Sequence, residues 1–130
     1  MPTTSFHEYV QHISETLNDV TGSGDAVLID FEVDHRSSNL GLISGILRFN
    51  NHSTLHFKEF VNTLAEEPKV MYAYHYQNAE TDLVFRYDNA AHKPSLQHPH
   101  HKHMPTGIAL SSAPTLIDVI DEILNHMSEG

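Results

Sequence analysis

The chain has no cysteine among its 130 residues. Disulfides and thiolate metal sites are therefore excluded, and so is the cysteine-bearing pattern of zinc deaminases. No apolar run is long enough to cross a bilayer. The opening "MPTTSFHEYVQ" lacks the basic and apolar regions of a secretory signal. These absences predict a cytoplasmic protein with no membrane partner. There is no phosphate-binding glycine loop and no nucleophile elbow. In "HEYVQH" the two histidines stand five apart, not the four that would put both on one metal-binding helical face.

Basic residues are also scarce. Seven Lys and Arg face 17 Asp and Glu, for a net charge of −10. Residues 1–34 and 104–130 contain no Lys or Arg at all. Simple nonspecific attraction to nucleic acid is thereby disfavoured. The middle, 35–103, carries all seven basic residues and nine of the twelve histidines. That distribution fits either an anion-facing surface in the middle or two solvated acidic helices around a mixed sheet.

The periodicities predict one α+β domain over residues 1–130. "SFHEYVQHISETL" places Phe6, Tyr9, Val10, Ile13 and Leu17 on one helical face, with Ser5 and Glu8 as a capping box. "TGSGD" breaks that helix. Strand patterns follow at 26–33, 42–49, 53–61, 69–77 and 83–88, joined by links too short for parallel crossovers. Residues 89–113 read as a long loop, a common home for function. "PTLIDVIDEILNHM" reads as a closing helix with Leu116, Val119, Ile120, Ile123, Leu124 and Met127 as its buried stripe, Pro114 near its start and Ser112 before it. The expected fold is a five-stranded antiparallel meander with an N-terminal and a C-terminal helix packed on one face.

Strand side chains alternate between faces. Arg48, His56, Lys58, His75 and Arg86 therefore fall on positions that collect on one open face if the registers align, with Glu59 opposite His56 and Lys58. Asp88 shares the side of Arg86. The loop segment "HKPSLQHPHHKH" adds His92, His98, His100, His101 and His103. Histidine exchanges protons near neutrality, so one imidazole can take a proton from a ribose 2′-OH while another protonates the leaving oxygen. Arginine and lysine stabilise charge on phosphate oxygens. Two other readings stand beside phosphodiester cleavage. The face and loop suit a solvated or partner-binding surface, and "HPHHKH" has spacings that permit two or three imidazoles on Zn²⁺ or Ni²⁺. No carboxylate lies within 89–117 to complete a mixed site.

"LRFNNHSTLHFKEFV", "YAYHYQNAETDLVFRYDNAAHKPSLQHPHHKH" and "PTLIDVIDEI" together resemble the TumE-like family of toxin–antitoxin toxins. "FRYDNAAHKP…HPHHKH" is the most specific part. The resemblance implies a growth-inhibiting toxin with a cognate antitoxin protein and an RNA substrate. The family's motif positions fall on Glu59, His75, Arg86, Asp88, Asn89, His92, His100, His101, Lys102 and His103. Two positions depart from the family pattern: "NNHS" stands for Asn-Gly-Ser at the first hairpin, and Ala91 stands where proline is frequent. The resulting expectation is a metal-independent endoribonuclease that uses no cofactor. His101 and His103 serve as acid and base, supported by His75, Asp88 and Glu59. Arg86, Lys102, Arg48, Lys58, Asn89, His92 and His100 contact substrate. A non-enzymatic partner-binding module and a metal-dependent hydrolase remain the alternatives.

Overall fold

The computed structural model describes residues 4–90 and 100–129. The chain runs α1 (Phe6–Gly22), β1 (Ala26–His35), β2 (Leu40–Phe49), β3 (Thr54–Asn62), β4 (Lys69–Gln77), β5 (Leu83–Asp88), β6 (His101–Met104), β7 (Gly107–Leu110) and α2 (Leu116–Glu129). All strands join one antiparallel sheet in sequence order. The class is α+β as expected, but the sheet has seven strands, not five. The two extra strands come from the segment read as loop. "HKHM" and "GIAL" are four residues each, too short to show alternation, and "HKHM" is mostly polar on both faces.

Both helices lie on the same face. Phe6, Ile13, Leu17 and Val20 of α1 and Leu116, Val119, Ile120 and Ile123 of α2 share one core with the inward residues of the sheet. Those inward residues include Leu47, Phe49, Leu55, Phe57, Tyr74, Tyr76 and Phe85. The tyrosines of β4 alternate inward as their spacing predicts. No helix of the described residues is long and apolar enough to cross a membrane.

Caps fix the helix ends. Ser5 Oγ accepts from the Glu8 N–H at 3.1 Å, satisfying a donor that the first turn leaves open. At α2 the cap is Thr115, not Ser112. Asp118 N–H donates to Thr115 Oγ1 at 3.2 Å, and Thr115 N–H donates to Asp118 Oδ2 at 3.0 Å. α1 continues past Leu17 to Gly22, and the chain turns at Gly24, where φ is +85°.

Two local features position the sheet. A bulge between Leu28 and Asp30 shifts the register of β1. It leaves Ile29 as the extra residue and sends Asp30 to the uncovered side. At Gly41, α1 comes down onto β2. A Cβ there would lie 2.3 Å from the Phe6 ring and 2.6 Å from the Asp34 carbonyl oxygen. Phe6 is fully buried and cannot retreat without opening the core. Gly41→Ala should therefore cost about 1–3 kcal/mol, as overpacking does, read as a lower urea midpoint. An unchanged midpoint would mean that α1 lifts from the sheet freely.

Candidate functional site

The registers turn strand alternation into rows across the face that neither helix covers. The first row runs Asp30, Ile46, His56, His75, Arg86, His103 and Ile108. The second runs Glu32, Ser44, Lys58, Ala73, Asp88, His101 and Leu110. The third runs Asp34, Leu42, Phe60 and Met71. Arg86 is thus flanked by an imidazole on each neighbouring strand, with Asp88 one step along β5 on the same face. Arg48 lies further along β2, beside Thr54. The open-face grouping of Arg48, His56, Lys58, His75 and Arg86 is present in the structure.

Hydrogen bonds tie the centre of the first two rows together. Arg86 Nε donates to Asp88 Oδ2 at 2.9 Å. His103 Nε2 lies 3.3 Å from Asp88 Oδ1. Arg86 Nη1 lies 3.4 Å from His75 Nδ1. A guanidinium only donates, so Nδ1 of His75 is the acceptor and its lone pair is directed at Arg86. Burial alone would raise the Asp88 carboxyl. Hydrogen bonds from Arg86 and His103 outweigh it and hold the group below its ordinary range. Asp88 is therefore an anion that fixes both partners. Burial, followed by the charges of Arg86 and His56, lowers the pKa of His75. That ring is held neutral. The His56 and His75 centroids are 6.3 Å apart. A cleft of about 380 Å³ runs over this region, lined by Asp30, Ser44, His56, Lys58, His75 and Arg86 among others.

The family model described as Toxin TumE matches residues 13–129. The chain belongs to the TumE toxin family. No curated protein and no solved structure matches it.

The positions expected from the family resemblance do not all meet at one place. His75, Arg86, Asp88, His101 and His103 share the open face. His101 is only 2% exposed, and its ring centroid is 6.3 Å from that of His103. It is therefore part of the packed sheet, not of a solvated loop. Lys102 alternates to the helix side, where its Nζ donates to Glu122 Oε2 at 2.7 Å and sits over the Phe85 and Tyr87 rings. Glu59 is also on the helix side, 1% exposed, and accepts from Tyr9 and Tyr74 hydroxyls. His100 stacks on Tyr72, a residue of the helix-covered face, and its Nδ1 is 2.8 Å from the Tyr72 hydroxyl. Asn89 acts as a latch. Its Oδ1 accepts from Tyr72 N–H at 3.1 Å and its Nδ2 donates to the Val70 carbonyl at 2.9 Å. His92 and His98 lie outside the described residues.

No three His, Asp or Glu side chains converge as metal ligands among the described residues. Phe60 and Met71 were not among the expected site residues. The signal for Phe60 was in β3, where Glu59 breaks the apolar side of the alternation and Phe60 breaks the polar side.

Proposed function

We propose that this TumE family member is the toxin of a two-component pair and acts as a metal-independent endoribonuclease. Family membership implies a cognate antitoxin. The observation that carries the chemical reading is Arg86 between His75 and His103 on one row of the sheet. Neighbouring strands are about 4.8 Å apart, so the two imidazoles bracket a group the size of a phosphodiester.

In this reading Arg86 holds the non-bridging phosphate oxygens, with Lys58 reaching toward them from β3, on the far side of β4. Neutral His75 takes the proton of the ribose 2′-OH on Nδ1, once the bound phosphate draws the Arg86 Nη1 donor away from that lone pair. The 2′-oxygen bonds to phosphorus, the bond from phosphorus to the 5′-oxygen breaks, and His103 protonates that leaving oxygen. The products are a 2′,3′-cyclic phosphate and a 5′-hydroxyl. Asp88 positions Arg86 and His103 and supports the imidazolium. His75 takes the base role that the sequence suggested for His101, because His101 is enclosed. Asp30, Glu32 and Asp34 line the β1 edge and repel phosphate there, which favours the β4–β6 side for the backbone.

Expression without antitoxin should arrest growth of the host, and co-expression of the antitoxin should restore it. Purified toxin should cleave RNA equally with and without EDTA. Undiminished growth at high soluble expression counts against a toxin. Cleavage lost in EDTA and restored by zinc assigns the chemistry to a metal.

A further inference from the structure

From β2 to β4 the third row of the open face is wholly apolar, whereas the first two rows carry His56, His75 and Lys58 there. Leu42, Phe60 and Met71 lie side by side on β2, β3 and β4. Met71 is 60% exposed, although the core of this fold is on the other side of the sheet. Together with Ala73 these residues line a cleft of about 250 Å³, and Lys58 and Arg86 form part of its wall. Lys58, Ala73 and Arg86 also line the histidine cleft. The two clefts therefore meet at the cations. An anion held between Lys58 and Arg86 has titratable imidazoles on one side and an apolar slot on the other. The guanidinium of Arg36 sits 5.9 Å from the Phe60 ring centroid and braces that ring.

Single exposed apolar side chains are ordinary, but a contiguous row of them beside cations marks a binding surface. The chemistry of the slot fits a flat, weakly polar group covalently joined to a phosphate. We propose that this cleft is a nucleobase subsite: the base next to the phosphate held by Arg86 stacks on Phe60 against Met71. The proposal rests on the ribonuclease reading above and names its substrate as single-stranded RNA, since a paired base would enter the slot only at the cost of its pairing and stacking. Among the slot's polar liners, the Asn89 amide is engaged at both ends by Tyr72 and Val70 backbone, and the Asp88 carboxylate by Arg86 and His103. Recognition is therefore by stacking, which every base supports, and not by reading base edges.

The test uses a short RNA whose cleavable 2′-OH is replaced by hydrogen, and the same oligonucleotide with one abasic sugar beside the scissile phosphate. Wild type should bind the intact oligonucleotide about 5- to 100-fold more tightly than the abasic one, the range of one base–aromatic stack. Phe60→Ala should erase that difference, and Phe60→Tyr should keep it. Met71→Ala changes an exposed side chain, so its fold is safe, and it should reduce the difference by a smaller factor. Equal binding of both oligonucleotides by wild type overturns the subsite and leaves the ribonuclease reading intact. Failure of wild type to bind either one overturns both. Protection of Phe60 and Met71 by the antitoxin, with no response to RNA, assigns the cleft to a protein.

Discussion

His75→Ala and His103→Ala should each slow RNA cleavage by about 10²- to 10⁴-fold, the range for loss of a general acid or base. Neither change removes a core side chain, since both residues sit on the open face beside Arg86. Thermal unfolding should therefore shift little while the rate collapses. The pH dependence has a definite sign. His75 accepts a proton only when neutral, and it is neutral above its pKa. Burial and then the Arg86 and His56 charges depress that pKa from the ordinary value of about 6.5. The rising limb of rate against pH should therefore lie below about 6.5. Arg86→Ala removes one of the lowering charges, so the NMR titration of His75 should move upward. It should stay short of the ordinary value, because burial is the larger cause and persists. Full activity in both histidine variants would refute the assignment. A rising limb well above the ordinary histidine value would remove His75 as the base.

Glu59→Ala should destabilise the protein by about 3–5 kcal/mol, the cost of breaking a buried charged network from one side. The Glu59 carboxylate accepts from the Tyr9 hydroxyl of α1 and, at 2.8 Å, from the Tyr74 hydroxyl of β4. Lys69 Nζ donates to the Tyr74 hydroxyl at 2.7 Å and to the Pro114 carbonyl ahead of α2. One carboxylate thus links the first helix, the middle of the sheet and the approach to the last helix. Burial, then the Glu59 charge and its hydrogen bond, raises both phenols far above their usual range. They stay protonated and donating. Burial lowers Lys69, and the Glu59 charge opposes that fall, so the alanine variant also leaves the lysine ammonium less supported. The loss is a large share of the 5–15 kcal/mol typical of a whole domain. Glu59→Gln keeps an acceptor for one tyrosine and should cost less. Urea unfolding gives the stability, and cleavage per folded molecule should stay near wild type. The reverse outcome, intact stability with lost cleavage, would put Glu59 in the chemistry despite its position under the helices.

β3 illustrates how much was legible beforehand. Alternation alone put His56 and Lys58 on one face and Glu59 on the other, and the structure agrees. It also carried the clue to the apolar slot, because Phe60 shares the side of His56 and Lys58. Local pattern suffices there, because period-two contrast over nine residues outweighs other arrangements.

The sequence by itself determined the two helices, the first five strands, the face on which each strand residue falls and the family. Each rests on short-range periodicity or on a long, specific residue pattern. The tertiary structure alone decided three further things. It made "HKHM" a strand, and so split His101 and His103 from Lys102. It sent Asp30 to the open face through a bulge. It aligned His75, Arg86 and His103 in a single row. The first and third share one physical reason. Pairing of β6 with β5 is a backbone hydrogen-bond ladder between residues at least thirteen apart in the chain. Such a ladder forms between any two strands of compatible twist and leaves no imprint on four polar residues. Register is a property of the pair, and neither strand encodes it alone.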